Sequence, residues 1–291
     1  SAMAQKSKTT HGARHSYKSS AVNWVKVDQK GEEPLGRSGA TATLDQAKKQ
    51  LYIYGGLTQN GFMDDLWILD TETWVWSKCV ASGGKQRGWH TTSLVNGNLL
   101  VFGGQYEKDP EGNGECDDDS TVLLQDLMMY DFETGVWFPA FATGDIPCAR
   151  SGHTATVIDN NKLVVFGGLK DDGSYINDVH VLDTTMYNWS KPEIKGARMK
   201  PRAYHAATLV GSKIIFFGGI GKCNWAFKEI YSLDTKTWKW TEHSSMVQGE
   251  CPSVRVGQAA TLLPDGKTIM VHGGHDPDDS NQCYGDAHQL D

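Results

Sequence analysis

The chain has 291 residues, of which 39% are hydrophobic and 22% charged, with 32 glycines and a formal net charge of −7. This is a globular composition rich in turn residues. Its acidic balance argues against a phosphate-backbone binder, which needs clustered positive charge, and no apolar run approaches the roughly 20 residues of a membrane helix. Six cysteines (Cys79, Cys116, Cys148, Cys223, Cys251, Cys283) show no C-x-x-C spacing, so neither a zinc ribbon nor a redox pair is indicated. Reduced thiols and a cytoplasmic location are expected, with no nucleic-acid or membrane partner and no cofactor; oligomeric state is not legible.

In chain order, residues 1–20 are polar and rich in Ser, Lys and His; a disordered tail is expected, beginning with a tag remnant at Ser1-Ala2-Met3. Residues 21–291 contain no Pro/Ser-rich linker and read as a single domain. Within them a double glycine follows a β-branched or aromatic run five times, at Gly55-Gly56, Gly103-Gly104, Gly167-Gly168, Gly218-Gly219 and Gly273-Gly274. The second glycines lie 48, 64, 51 and 55 residues apart. An arginine precedes each first glycine by 16 to 18 residues (Arg37, Arg87, Arg150, Arg202, Arg255), and Trp74, Trp137, Trp189 and Trp238 follow four of the pairs. Tryptophan to arginine is 13 residues from Trp24, Trp74, Trp137 and Trp189 and 17 from Trp238.

Each unit reads as four short strands, which in the third are His153 to Ile158, Lys162 to Phe166, Asp178 to Asp183 and Tyr187 to Lys191. Four antiparallel strands per 50 residues cannot bury both faces alone, so the sheets must stack around an axis. The last unit ends at Leu290-Asp291 without a tryptophan strand, while Ala21 to Val27 supplies one without a unit. The N-terminal strand is therefore expected to pair with Gly285 to Asp291 and close a ring of five blades; six or more would apply if the sequence is part of a longer chain.

Arg150-Ser151-Gly152-His153-Thr154, Val165-Phe166-Gly167-Gly168, Asn177-Asp178-Val179 and Leu182-Asp183-Thr184, with Trp189, resemble the kelch motif, and the pattern covers residues 22 to 291. The chain departs from it at Ala40 and Gln258, where His90, His153 and His205 stand elsewhere, and at His272 before the last glycine pair. The resemblance implies an all-β, kelch-type β-propeller that binds proteins, as substrate adaptors of ubiquitin ligases or cytoskeletal partners do. Some proteins of this resemblance are instead metal-dependent enzymes or enzyme modifiers (copper oxidases, iron-dependent specifier proteins). No Glu/Asp/His cluster of specifier spacing, P-loop or Ser-His-Asp arrangement is present here, so a non-enzyme is expected.

The expected partner is a protein or peptide, acidic or with a free C-terminal carboxylate, gripped by one face of the propeller. Five arginine forks in the inter-blade loops would suit carboxylates or phosphates, with Trp89, Tyr204 and Trp225 as aromatic anchors. The alternative is that each arginine pairs with a carboxylate of its own blade. His90, His153 and His205 are expected to satisfy backbone groups rather than ring a metal. The second unit carries an insertion holding Glu107, Asp109, Glu111, Glu115, Asp117, Asp118 and Asp119; its spacing does not fit an EF-hand, and a solvated acidic loop is the favoured reading over a calcium site. Asp276 to Ser280 forms a similar, shorter stretch.

Overall fold

The computed structural model describes residues 25–108, 121–279 and 282–291. Four sheets share one plan of inner, second, third and outer strand. In blade one these are Thr41–Asp45, Gln50–Tyr54, Leu66–Asp70 and Val75–Cys79. In blade two they are Thr91–Val95, Asn98–Phe102, Leu127–Asp131 and Val136–Pro139. Blade three has Thr154–Ile158, Lys162–Leu169, Tyr175–Asp183 and Asn188–Ser190, and blade four has Ala206–Val210, Lys213–Phe217, Ile230–Asp234 and Lys239–Glu242. Blade five has three described strands, Ala259–Leu262, Ile269–His272 and Ala287–Leu290. The chain is thus an all-β propeller of five blades.

The second strands read as unbroken apolar runs because sheets pack against both of their faces. Leu163, Val164, Val165 and Phe166 are all fully buried. The middle strands of blade three run longer than the sequence suggests because pairing resumes past a bulge between Phe166 and Gly168, joining Gly168 to Ile176 and Leu169 to Tyr175. The cores lie between neighbouring blades. Tyr54, Leu66, Leu99, Tyr130 and Trp137 join blades one and two, and Phe166, Val179, Ile214, Phe216 and Trp240 join blades three and four.

The tryptophan register needs correction in two blades. The residues that wedge between sheets are Trp137, Trp189 and Trp240, each 3% exposed or less, with Trp76 half-buried at the same position in blade one. Trp74 and Trp238 sit two residues earlier, in the hairpin turn, with φ of 58° and 52°. Gly135 and Tyr187 hold that turn position in blades two and three. The turns start from an aspartate: Asp70 Oδ1 accepts from the Glu72 and Thr73 amides, and Asp234 Oδ1 from Lys236 and Thr237. Where two tryptophans flank the turn, equal spacing to the next arginine selects the wrong one, because the connecting loops differ in length.

Between blades the chain repeats one crossing. Lys30–Gly31, Thr143–Gly144 and Lys195–Gly196 each pair in parallel with the outer strand of the blade that follows, and Ser82 bridges Val136 in the same sense. The glycine of that crossing lies seven residues after the wedge tryptophan in Trp76–Gly83, Trp137–Gly144 and Trp189–Gly196, and Trp24–Gly31 keeps the interval. The expected closure by Ala21 to Val27 falls mostly outside the described residues, and residues 25–29 form no strand.

Candidate binding face

Because each blade is an antiparallel four-stranded sheet, the loop entering the inner strand and the loop joining second to third strand emerge on the same face. Bridges tie them together in every blade: Ser38 to Leu57, Gly88 to Gln105, Ser151 to Leu169, Ala203 to Ile220 and Val256 to His275. All eight residues singled out from the sequence lie on these loops.

The arginines are the pins of this face rather than its surface. Arg87, Arg150, Arg202 and Arg255 are fully buried, and Arg37 nearly so. Each donates from Nη1 to the carbonyl of the first glycine of its own blade's pair, at 2.9–3.1 Å. Four grip a carboxylate with both arms of the fork: Arg37 with Asp65, Arg87 with Asp126, Arg150 with Asp178 and Arg255 with Asp286. Of the two alternatives read from the sequence, the geometry at these four positions is the intra-blade ion pair. Burial alone would raise the Asp126 carboxyl, yet bonds from Arg87 and Lys85 outweigh it and hold it below the usual carboxylate range. The signal for the partners was present in the sequence, because Asp65-Leu66, Asp126-Leu127, Asp178-Val179 and Asp286-Ala287 all open the third strand.

Blade four departs from this plan. Glu229 stands in the aspartate position, and the buried Arg202 Nη2 and Glu229 Oε2 both lack a hydrogen-bond partner. Arg202 instead stacks on Phe227, 3.8 Å from guanidinium carbon to ring centre, and burial lowers its pKa to about 10.

Two residues after each arginine, the backbone is left-handed in all five blades: Gly39, Trp89, Gly152, Tyr204 and Gly257, with φ between 52° and 70°. Glycine takes this conformation without strain, whereas Trp89 and Tyr204 adopt it against a steric cost. The aromatic rings fill the space above the preceding blade's glycine, since a Cβ on Gly39 would meet the Trp89 ring at 2.9 Å and one on Gly152 the Tyr204 ring at 2.7 Å. A belt of amide bonds links these positions: Trp89 to the Gly39 carbonyl, Gly152 to Trp89, Tyr204 to Gly152 and Gly257 to Tyr204, at 2.7–3.0 Å. Among the described residues no such bond joins blade five to blade one. Trp89 and Tyr204 are half-buried spacers of this belt.

The recurrent histidines complete the inter-blade contacts. His90, His153 and His205 each meet, through Nε2, the hydroxyl of the preceding inner strand, at Thr41, Thr91 and Thr154 respectively, 3.0–3.1 Å away. Gln258 stands in their place and donates to the Phe217 carbonyl at 2.8 Å. Burial, and then the neighbouring Arg150 charge, depress His153 to about 3; burial with Arg87 or Arg202 moves His90 and His205 the same way. The unfolded chain therefore takes up these protons first as pH falls. The stability they hold is present above about pH 6.5 and lost below it; for His153 alone the loss between pH 6.5 and 5 is about 2 kcal/mol. Urea midpoints measured from pH 7.5 to 5 should fall steeply below about 6.5, and less so in His153→Asn.

Trp225 is the exposed aromatic of the face, at 64%. It follows a single 3₁₀ turn, Lys222–Asn224, in which Cys223 and Asn224 are left-handed. Beside it a groove of about 860 Å³ runs between the blade-three and blade-four loops, walled by Tyr175, Pro201, Trp225 and Phe227, with Lys200 and Lys222 at its rim. Asp172 also lines the groove, engaged by Lys170 and Ser174, whereas among the described residues Lys200 and Lys222 are in no ion pair. Phe227 links this groove to the incompletely satisfied Arg202 beneath it.

Asp109 to Asp119 of the acidic insertion lie outside the described residues. Asp276 is engaged by the Asp278 amide and the Tyr284 hydroxyl. Among the described residues no three His, Cys, Asp or Glu side chains converge to hold a metal ion, and no helix is long and apolar enough to cross a membrane. The five described cysteines are free thiols.

The family model for the FBX42 beta-propeller domain matches residues 37–226, beginning at the first pinning arginine and ending in the Trp225 loop. The chain belongs to the kelch-repeat β-propeller family. Among its kelch relatives, the acyl-CoA-binding domain-containing protein 5 of Arabidopsis thaliana is 27% identical over 87% of this chain and 38% of its own length. Host cell factor 1 of Homo sapiens is 30% identical over 70% of this chain and 10% of its own. The chain thus spans well under half of these relatives. In fold, the solved structure of YjhT is similar with a TM-score of 0.66 at 21% identity, covering 84% of this chain and 74% of that one. The kelch propeller and these relatives support a protein-interaction module in general terms.

Proposed function

We propose that this kelch propeller binds an acidic segment of a partner protein in the groove between blades three and four, and acts as a substrate adaptor or scaffold through that contact. The observation that carries the reading is Trp225, held in solvent on a strained turn beside Tyr175, Pro201 and Phe227. An exposed indole over an apolar groove is the kind of anchor that dominates interface energy. Lys200 and Lys222 supply charge for a carboxylate of the ligand, either a side chain or a chain terminus. In this reading Arg37, Arg87, Arg150 and Arg255 hold the loops, Arg202 braces Phe227 from below, and Trp89 and Tyr204 set the inter-blade spacing.

Capture of partners from lysate, followed by affinity measurement with the purified partner, should show Trp225→Ala weakening binding at least about tenfold, as expected of a hot-spot aromatic. Lys200→Glu with Lys222→Glu should weaken it further and flatten its salt dependence. Thermal melts within a degree or two of the parent chain would confirm folding. Partners retained at full affinity by both variants would place recognition elsewhere.

A further inference from the structure

The wedge tryptophans define a slot that recurs between blades and is unfilled in one of them. Trp137 packs 4.4 Å from the Tyr54 ring, Trp189 5.3 Å from Phe102, and Trp240 5.2 Å from Phe166, measured between ring centres. In every case the partner is the residue before the preceding blade's double glycine, and the tryptophan pairs across the third strand with Tyr130, Leu182 or Leu233. The corresponding residues between blades four and five are Phe217 and Leu290. There the described residues contain no outer strand, so the outer edge of Ala287–Leu290 is unpaired among them.

A cavity of about 70 Å³ lies at that place, lined by Phe217, Ile230, Val271, His288 and Leu290, and a groove of about 610 Å³ lies alongside, walled by Ile215, Val247 and Ile269. Val271 and His288 correspond to Phe216 and Tyr231, whose rings stand 5.1 Å and 6.2 Å from Trp240. Backbone edge and apolar slot therefore have the spacing that three neighbouring blades use to hold an extended, tryptophan-bearing strand.

We infer that the edge of Ala287–Leu290 is a second binding site, which accepts an extended peptide by antiparallel strand addition and takes a tryptophan of that peptide, opposite Leu290, into the slot against Phe217. The ligand class is set by the filled copies. Each has a β-branched or polar residue, then tryptophan, then a residue facing solvent: Val136-Trp137-Phe138, Asn188-Trp189-Ser190, Lys239-Trp240-Thr241. Main-chain bonds to the free edge give affinity, and the slot gives selectivity for a large aromatic at one position. The site lies on the outer rim between blades four and five, apart from the Trp225 groove, and stands whether or not that groove binds a partner.

Asn23-Trp24-Val25-Lys26 has the same order as Asn188-Trp189-Ser190-Lys191, so a peptide with the sequence of residues 20–28 is a suitable probe. Its labelled form would be titrated into the full chain and into Trp24→Ala, with fluorescence anisotropy and amide exchange of residues 287–290 as readouts. Saturable binding is expected to be lost at least about tenfold when the peptide's tryptophan becomes alanine or when Leu290→Asp is introduced, with slowed exchange at the edge amides. A thermal melt of Leu290→Asp would verify its fold. Binding by both chains means the slot is open, and binding only by Trp24→Ala means the chain's own N-terminal segment holds it; each supports the site. Absence of binding to both chains, or binding indifferent to the peptide's tryptophan and to Leu290, would overturn it.

Discussion

Asp126→Ala is expected to cost about 3–5 kcal/mol of stability, because it leaves the Arg87 guanidinium buried with its charge uncompensated. Asp126 accepts both arms of the Arg87 fork, at 2.8 and 3.0 Å, and is four-fifths shielded from solvent itself. The fork cannot turn to water, since Arg87 is fully buried and its remaining donors are spent on the carbonyls of Gly103 and Lys85. Replacing both partners, as Arg87→Met with Asp126→Leu, should recover much of the loss, because an apolar pair of similar volume avoids both desolvation costs. Chemical denaturation of the four chains as a double-mutant cycle measures this. If Asp126→Ala were as stable as the parent, the pinning role of the arginines would fall.

Trp189→Ala is expected to lose a further amount of the same order, about 3–5 kcal/mol, from the cavity left between blades two and three. The indole is 2% exposed and packs with Leu100, Phe102, Leu127, Leu163 and Leu182. The informative contrast is Trp74, which is 37% exposed and left-handed at the hairpin turn. Trp74→Gly should leave the denaturation midpoint near or above that of the parent, because glycine takes a positive φ without the Cβ penalty. Similar losses for Trp189→Ala and Trp74→Gly would mean that the wedge and turn positions had been confused.

The blades were legible in the sequence because their period is enforced by backbone geometry. Double glycines, a leading arginine and an aspartate-initiated turn recur wherever a sheet must end and restart. What was not legible was direction. A repeated arginine fits a ligand ring and a set of internal pins equally well, and the choice depends on whether a carboxylate stands across the blade, 28 to 39 residues away. Asn177-Asp178-Val179 was visible as part of the motif, but its pairing with Arg150 is a tertiary fact. Trp225 was visible as an aromatic in a loop, whereas the groove beside it needs two blades in register. The tryptophan register failed for a local reason, since Trp74 and Trp76 are both plausible wedges until the turn between them and Asp70 is drawn.

Glycine and aromatic alternate along the inner belt: Gly39, Trp89, Gly152, Tyr204, Gly257. Each aromatic leans back over the glycine before it, so two aromatics in succession would collide, and two glycines in succession leave the space between them unfilled. An alternating order cannot run round a circle of odd number without one like-with-like junction. With five positions the mismatch falls between Gly257 and Gly39, at the junction where the amide belt is also interrupted. Parity therefore marks this junction as the weak point of the circle, where the blades should part first under thermal stress or force.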